Sequence, residues 1–253
     1  MAPGDKKHFI PLESDPELFT ELIHRMGMSS RLTFHDLLTL SSPSPSPDEV
    51  ELLSMIPRPV LALIIVTPGS DGYCDKIHEE EDAEGVQVHD QCGDSEDAVF
   101  YKQTIGNACG MFAVLHSVSN GAKAFVEPNT FIANLISTCA PLNVDQRVAV
   151  LESSTELEEA HASVASRGQT APPPDPTIEA DFSYMAFTKG KNSGKLYLLE
   201  GCRKGPVDLG VTLEDDEDLL TEKALSAVRV FVEKAGRGQT VGYNAMALSV
   251  TGE

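Results

Sequence analysis

The sequence predicts one mixed α/β domain, on three observations. Its 253 residues suit a single large domain and bury a substantial core. Segments with apolar residues at helical spacing are interleaved with short apolar or alternating runs of strand length. No internal repeat and no shift in composition marks a boundary within residues 1–253.

Taken in order, Asp15-Pro16-Glu17 joins a capping aspartate, a first-position proline and an early acid, which predicts a helix start. Leu18, Phe19, Leu22, Ile23 and Met26 follow at helical spacing, and Gly27 stops the segment. Ser41 to Pro47 alternates serine and proline, an extended, solvated loop. Val60 to Val66 is apolar on both faces, as a strand in the middle of a sheet must be. Tyr73 to Glu96 is acidic and aperiodic, so a long loop with one helical turn is expected. Ala98 to Gln103 is extended and leads into a helix from Ala108 to Val118, apolar around most of its circumference. Further helices are expected over Thr130 to Ser137 and Val144 to Leu151, with a short acidic helical patch from Thr155 to His161. Phe182 to Thr188 and Lys195 to Leu199 alternate and read as strands joined by the turn Lys189 to Gly194. Glu214 to Asp218 suits a helix N-terminus, with Leu219, Leu220, Ala224, Leu225, Val228 and Val232 behind it. Val241 to Val250 alternates again as a last strand.

Charge narrows the function. Lys and Arg number 19 against 39 Asp and Glu, a net charge of −20. Such a surface repels phosphate, which argues against nucleic acid and anionic membrane and favours basic partners. No stretch reaches the roughly 18–20 apolar residues of a membrane span, and Met1 to His8 lacks the apolar core of a secretory signal. The five cysteines (Cys74, Cys92, Cys109, Cys139 and Cys202) form no CxxC pair. That pattern predicts a reducing compartment, cytosolic or nuclear, with no disulfide frame and no zinc site. The acidic runs Glu79 to Asp82 and Glu214 to Asp218 read as solvated surface, so no metal and no cofactor is expected. Without a coiled coil or an apolar edge, a monomer is expected.

The sharpest local chemistry surrounds Cys109. Its place in the first turn of a helix exposes it to unpaired N–H groups and the helix dipole, which favour thiolate. Gly106 and Gly110 are read as leaving room for a substrate chain, and the Gln103 amide as a donor to a developing oxyanion. From the residues alone, a structural buried cysteine and a nucleophile both remain open.

The segment Gln103-Thr104-Ile105-Gly106-Asn107-Ala108-Cys109-Gly110 resembles the active-site segment of the ubiquitin C-terminal hydrolases, which are papain-like cysteine peptidases. The resemblance extends to Pro11–Pro16, Leu52–Val60, Gly168-Gln169-Thr170, Leu196–Gly201 and Asn244–Leu248, in order along nearly the whole chain. It implies one papain-like α/β domain with a central, mainly antiparallel sheet flanked by helices. It also implies a knotted backbone path and a crossover loop, about residues 151–170, over the active site. By the same resemblance, Cys109 is the nucleophile, Gln103 the oxyanion donor, and ubiquitin or a ubiquitin-like modifier the partner. The reaction implied is hydrolysis after the C-terminal glycine of ubiquitin, a step of the ubiquitin conjugation pathway. Which residues would bind that substrate is not legible in the sequence.

Two positions depart from the family pattern. Ser183 stands where the general-base histidine is expected, and Glu200 where an aspartate would orient it. A hydroxyl cannot take a thiol's proton near neutral pH, and positioned general-base catalysis is worth about 10²–10⁴-fold. Weak or absent turnover is therefore expected, with a catalytically silent ubiquitin-binding relative as the alternative. His161, in the crossover region, is the candidate substitute base; His116 is expected to face the core, and His78 and His89 the surface. Cys202 reads as incidental, or as a second thiol able to cross-link with Cys109.

Overall fold

The computed structural model describes residues 6–69, 72–169, 175, 177–178, 180–235 and 242–252. Six strands form one antiparallel sheet in the order β1-β6-β2-β3-β4-β5. They are β1 (Leu32–Asp36), β2 (Val60–Pro68), β3 (Phe182–Lys189), β4 (Lys195–Leu199), β5 (Val207–Thr212) and β6 (Asn244–Val250). The helices are α1 (Pro16–Met26), α2 (Pro47–Ser54), α3 (Tyr73–Ala83), α4 (Cys109–Ser119), α5 (Phe131–Cys139), α6 (Val144–Ser153), α7 (Thr155–Ala165) and α8 (Glu222–Ala235).

The sheet is buried on both faces, and β2 shows why its run is continuously apolar. Ala62, Ile64 and Val66 pack with α1 and α4–α7, while Leu63 and Ile65 pack with α8. The expected central strand therefore lies between β6 and β3. The start of α1 forms as its sequence dictates, with Asp15 Oδ1 accepting from the N–H groups of Glu17 at 2.8 Å and Leu18 at 3.2 Å. Gly27 ends it at φ 105°, in the left-handed region.

Four expectations are corrected. The first half of the expected acidic loop is instead the three-turn helix α3, which docks through polar groups and buries only Ile77 and Glu81, while residues 84–96 are irregular apart from a short 3-10 turn at Gly93–Ser95. The acidic run Glu214 to Asp218 precedes α8 rather than opening it: Asp218 pairs with Arg58 and accepts from Val60 N at 2.9 Å. Most of residues 151–170 is helical, because Ser154 caps α7 at Leu157 N (3.1 Å) and the acidic patch runs on to Ala165. Cys74 and Cys202, 128 residues apart, are joined by a disulfide with a Cα–Cα distance of 5.3 Å. Sequence spacing cannot reveal that pair, since it exists only because α3 packs on the turn after β4. Strands β1 and β5 and helix α2 have no counterpart in the periodicity reading. Residues 170–174 and 241, where parts of two expected segments fall, lie outside the described residues.

Candidate active site

The segment before α4 is joined to residues 7–9 of the N-terminal segment. Phe9 N donates to Gly106 O at 2.9 Å, and Gly106 N donates to Lys7 O at 2.8 Å. The imidazole of His8 fills the space a side chain at Gly106 would need, and Leu12 lies against Gly110. The room expected there for a substrate chain is thus occupied by the protein's own N-terminus. Asn107 adopts φ 57°, a conformation asparagine tolerates better than most residues. Its Nδ2 donates to Ile178 O at 2.9 Å and its Oδ1 accepts from Ala180 N at 3.0 Å, tying the approach to β3 onto the Cys109 segment.

Helix α4 then carries Cys109 on its first turn, and Gly110 to Ser119 are all buried behind it. A small pocket of about 110 Å³ is walled by Gln103, Asn107, Cys109, Phe182, Ser183 and both disulfide cysteines. Gln103, Cys109 and Ser183, which the resemblance groups together, line this one pocket. Glu200, 1% exposed, stands behind Ser183. Ser183 Oγ donates to Glu200 Oε1 at 2.9 Å, Tyr73 OH donates to the same oxygen at 2.7 Å, and Arg203 Nε donates to Oε2 at 3.0 Å. The Gln103 amide Nε2 is turned to Ile105 O at 3.1 Å. Across Ala180, Asp181 and Phe182 lies a larger, mostly apolar cavity of about 700 Å³.

The electrostatics oppose a thiolate. Burial pushes the Cys109 thiol up to about 11, outweighing the N–H groups of Tyr184, Gly110 and Cys109 itself, and the Glu200 carboxylate adds to the rise. The helix-start N–H groups of Gly110 and Cys109 do pull the thiol down as expected, and burial works against them. Burial also raises the Tyr73 phenol, reinforced by Glu200, so Tyr73 remains a proton donor.

No histidine lines the pocket among the described residues. His161 is 2% exposed and donates through Nε2 to Ile10 O at 2.6 Å, with its ring against Phe9. Burial lowers it to about 4. The substitute-base expectation fails because α7 fixes that side chain in the core. His116 faces the core as expected and accepts from Tyr101 N at 3.0 Å. His78 and His89 are not free surface groups: His78 meets Cys202 O at 2.6 Å and His89 meets Glu96 at 3.0 Å. Cys202 bonds Cys74 rather than Cys109. Sequence reasoning missed Tyr73 and Arg203, whose polar runs carry no period.

A cysteine opening a buried helix, packed against an antiparallel sheet that supplies the facing polar groups, is the arrangement of a papain-like cysteine-peptidase fold. Residues 9–233 match the family described as ubiquitin carboxyl-terminal hydrolase, family 1, and the chain belongs to that family. It is 30% identical over 205 residues to a ubiquitin carboxyl-terminal hydrolase of Drosophila melanogaster, covering 81% of this chain and 83% of the relative. It is 27% identical over 252 residues to ubiquitin carboxyl-terminal hydrolase YUH1 of Saccharomyces cerevisiae, covering 97% of each. Its fold is similar to that of the Trichinella spiralis UCH37 catalytic domain solved with ubiquitin vinyl methyl ester (TM-score 0.68, 23% identity, 100% and 98% of the two chains).

Proposed function

We propose that this protein is a ubiquitin C-terminal hydrolase-type cysteine peptidase whose turnover is impaired. Cys109 attacks the carbonyl after the C-terminal glycine of ubiquitin, in amide or thioester linkage, and Gln103 turns from Ile105 O to donate to the oxyanion. The observation that carries the reading is the Ser183–Glu200 hydrogen bond of 2.9 Å beside the Cys109 pocket. A hydroxyl fills the place of a base and already donates to the acid, leaving no group there to accept the thiol's proton. The partner is ubiquitin or a ubiquitin-like modifier; the arginine-bearing ubiquitin tail suits a chain of net charge −20. A monomer acting in the cytosol or nucleus completes the proposal.

A second reading, a silent ubiquitin-binding relative, is favoured by the lack of any histidine among the described residues that line the Cys109 pocket. The two are separated by hydrolysis of a fluorogenic C-terminal ubiquitin amide by the native protein, Ser183→His and Cys109→Ala. Slow native turnover that Cys109→Ala abolishes and Ser183→His raises by about 10²–10⁴-fold supports the peptidase. A silent native protein that still binds ubiquitin supports the second reading. Absence of both turnover and binding overturns each.

A further inference from the structure

Three of the five cysteines line one pocket: the Cys109 thiol faces a wall built by the Cys74–Cys202 disulfide. Cys74 is in the first turn of α3, directly after Tyr73, and Cys202 lies two residues beyond Glu200. Both are half-buried and border the cavity, so a small thiol has a route to the bond. The rest of α3 is anchored without it. His78 meets Cys202 O at 2.6 Å, Glu81 accepts from Arg203 at 3.3 Å and from Lys204 N at 3.0 Å, and Lys204 pairs with Asp82 at 2.5 Å. Those contacts begin one turn beyond Cys74. In the first turn of α3, the disulfide is the covalent link and the Tyr73 hydroxyl adds a hydrogen bond to Glu200.

We propose that Cys74 and Cys202 are a reversible thiol–disulfide site that closes one wall of the Cys109 pocket, with glutathione-type small thiols as its reagent. The chemistry balances with two such thiols. The first, as thiolate, attacks one sulfur and gives a mixed disulfide and one protein thiolate; the second attacks the mixed disulfide and releases the other. The S–S bond of the protein breaks and that of the small-molecule disulfide forms. Two electrons pass to the protein, and the protons of the two reagent thiols end on Cys74 and Cys202. Cys109 does not scramble the bond, because its thiolate is scarce at neutral pH when burial holds the thiol near 11. Reduction removes the covalent hold on Cys74 and loosens the first turn of α3, which keeps the Tyr73–Glu200 hydrogen bond, while the far half of the helix stays docked. Water and reagents then reach the partly exposed Cys109 more readily.

The test reads cysteine chemistry and does not depend on ubiquitin. The full chain, purified without reductant, is alkylated natively with light iodoacetamide, then unfolded, reduced and alkylated with the heavy reagent. Peptide mapping is expected to find heavy label on Cys74 and Cys202 and light label on Cys109. After equilibration with reduced glutathione, the native alkylation rate of Cys109 is expected to rise about tenfold, a barrier lower by about 1.4 kcal/mol. The double variant Cys74→Ser/Cys202→Ser is expected to show the faster rate whatever the glutathione ratio. Light label on Cys74 and Cys202 in the untreated protein overturns the proposal. So does a Cys109 rate that neither glutathione nor the double variant changes, with unaltered circular dichroism showing that both proteins are folded.

Discussion

Ser183 and Tyr73 share a single acceptor, Glu200 Oε1, at 2.9 and 2.7 Å. One comes from the sheet and the other from α3, so the carboxylate joins two walls of the Cys109 pocket. Its second oxygen is held by Arg203 at 3.0 Å. Three donors on a nearly fully buried anion make it a structural hub as much as a neighbour of the thiol.

Glu200→Gln keeps the volume of that hub, removes its charge and turns one of its two acceptors into a donor. The Cys109 thiol is then expected to fall modestly from about 11, because burial, the main cause of its rise, stays while the smaller contribution of Glu200 is gone. The pH dependence of Cys109 alkylation measures this directly. An unchanged or higher midpoint contradicts the reading.

Asn107 holds the approach to β3 by both ends of its amide. Asn107→Ala loses two hydrogen bonds and puts alanine at φ 57°, a combined cost of about 2–4 kcal/mol. Asn107→Gly removes the ties and tolerates the backbone, so it should recover part of the melting temperature. Limited proteolysis between residues 166 and 181 should be faster in both variants than in the native protein.

Arg147 and Glu96 are 0% and 1% exposed and form a two-pronged ion pair at 2.7 and 2.6 Å. Burial by itself raises the Glu96 carboxyl, but the hydrogen bonds from Arg147 and His89 outweigh it and hold the group below 4.5. The stability this brings is present above the ordinary carboxylate value and is lost as pH falls through the depressed one. Arg147→Met strands the carboxylate and should cost about 3–5 kcal/mol in urea unfolding at neutral pH. Its stability should then improve on mild acidification, the reverse of the native trend.

His161 and His116 are lowered by burial to about 4 and about 3. In each, Nδ1 has no hydrogen-bond partner among the described residues. The unfolded chain binds their protons near 6.5 and the folded one does not. Their contribution is therefore complete above that pH and is lost as pH falls toward 4 and then 3. Thermal melting from pH 7 to 4 should show the loss, and His161→Gln should flatten its upper part.

How much of this was legible depended on whether the signal was local. Val60 to Val66 announced a central strand because burial on both faces leaves no polar position. Ser183 and Glu200 were legible only through the family resemblance, which marks both positions; periodicity alone gives Ser183 a place on a strand and says nothing of Glu200. Tyr73 was not, since α3 docks through polar groups rather than an apolar stripe. Nor was the fixed place of His161: its partners Phe9 and Ile10 lie some 150 positions away, and nothing around His161 in the sequence points to them.

Strand β6 lies between β1 and β2, although it is the last strand in chain order. While such a chain is being synthesised, β1 has no neighbour and β2 has one open side until residues 244–250 emerge. The nascent polypeptide therefore exposes two unsatisfied strand borders for most of its time on the ribosome. Assembly of the sheet is late and demands contacts between distant parts of the chain, the kind of topology that slows folding.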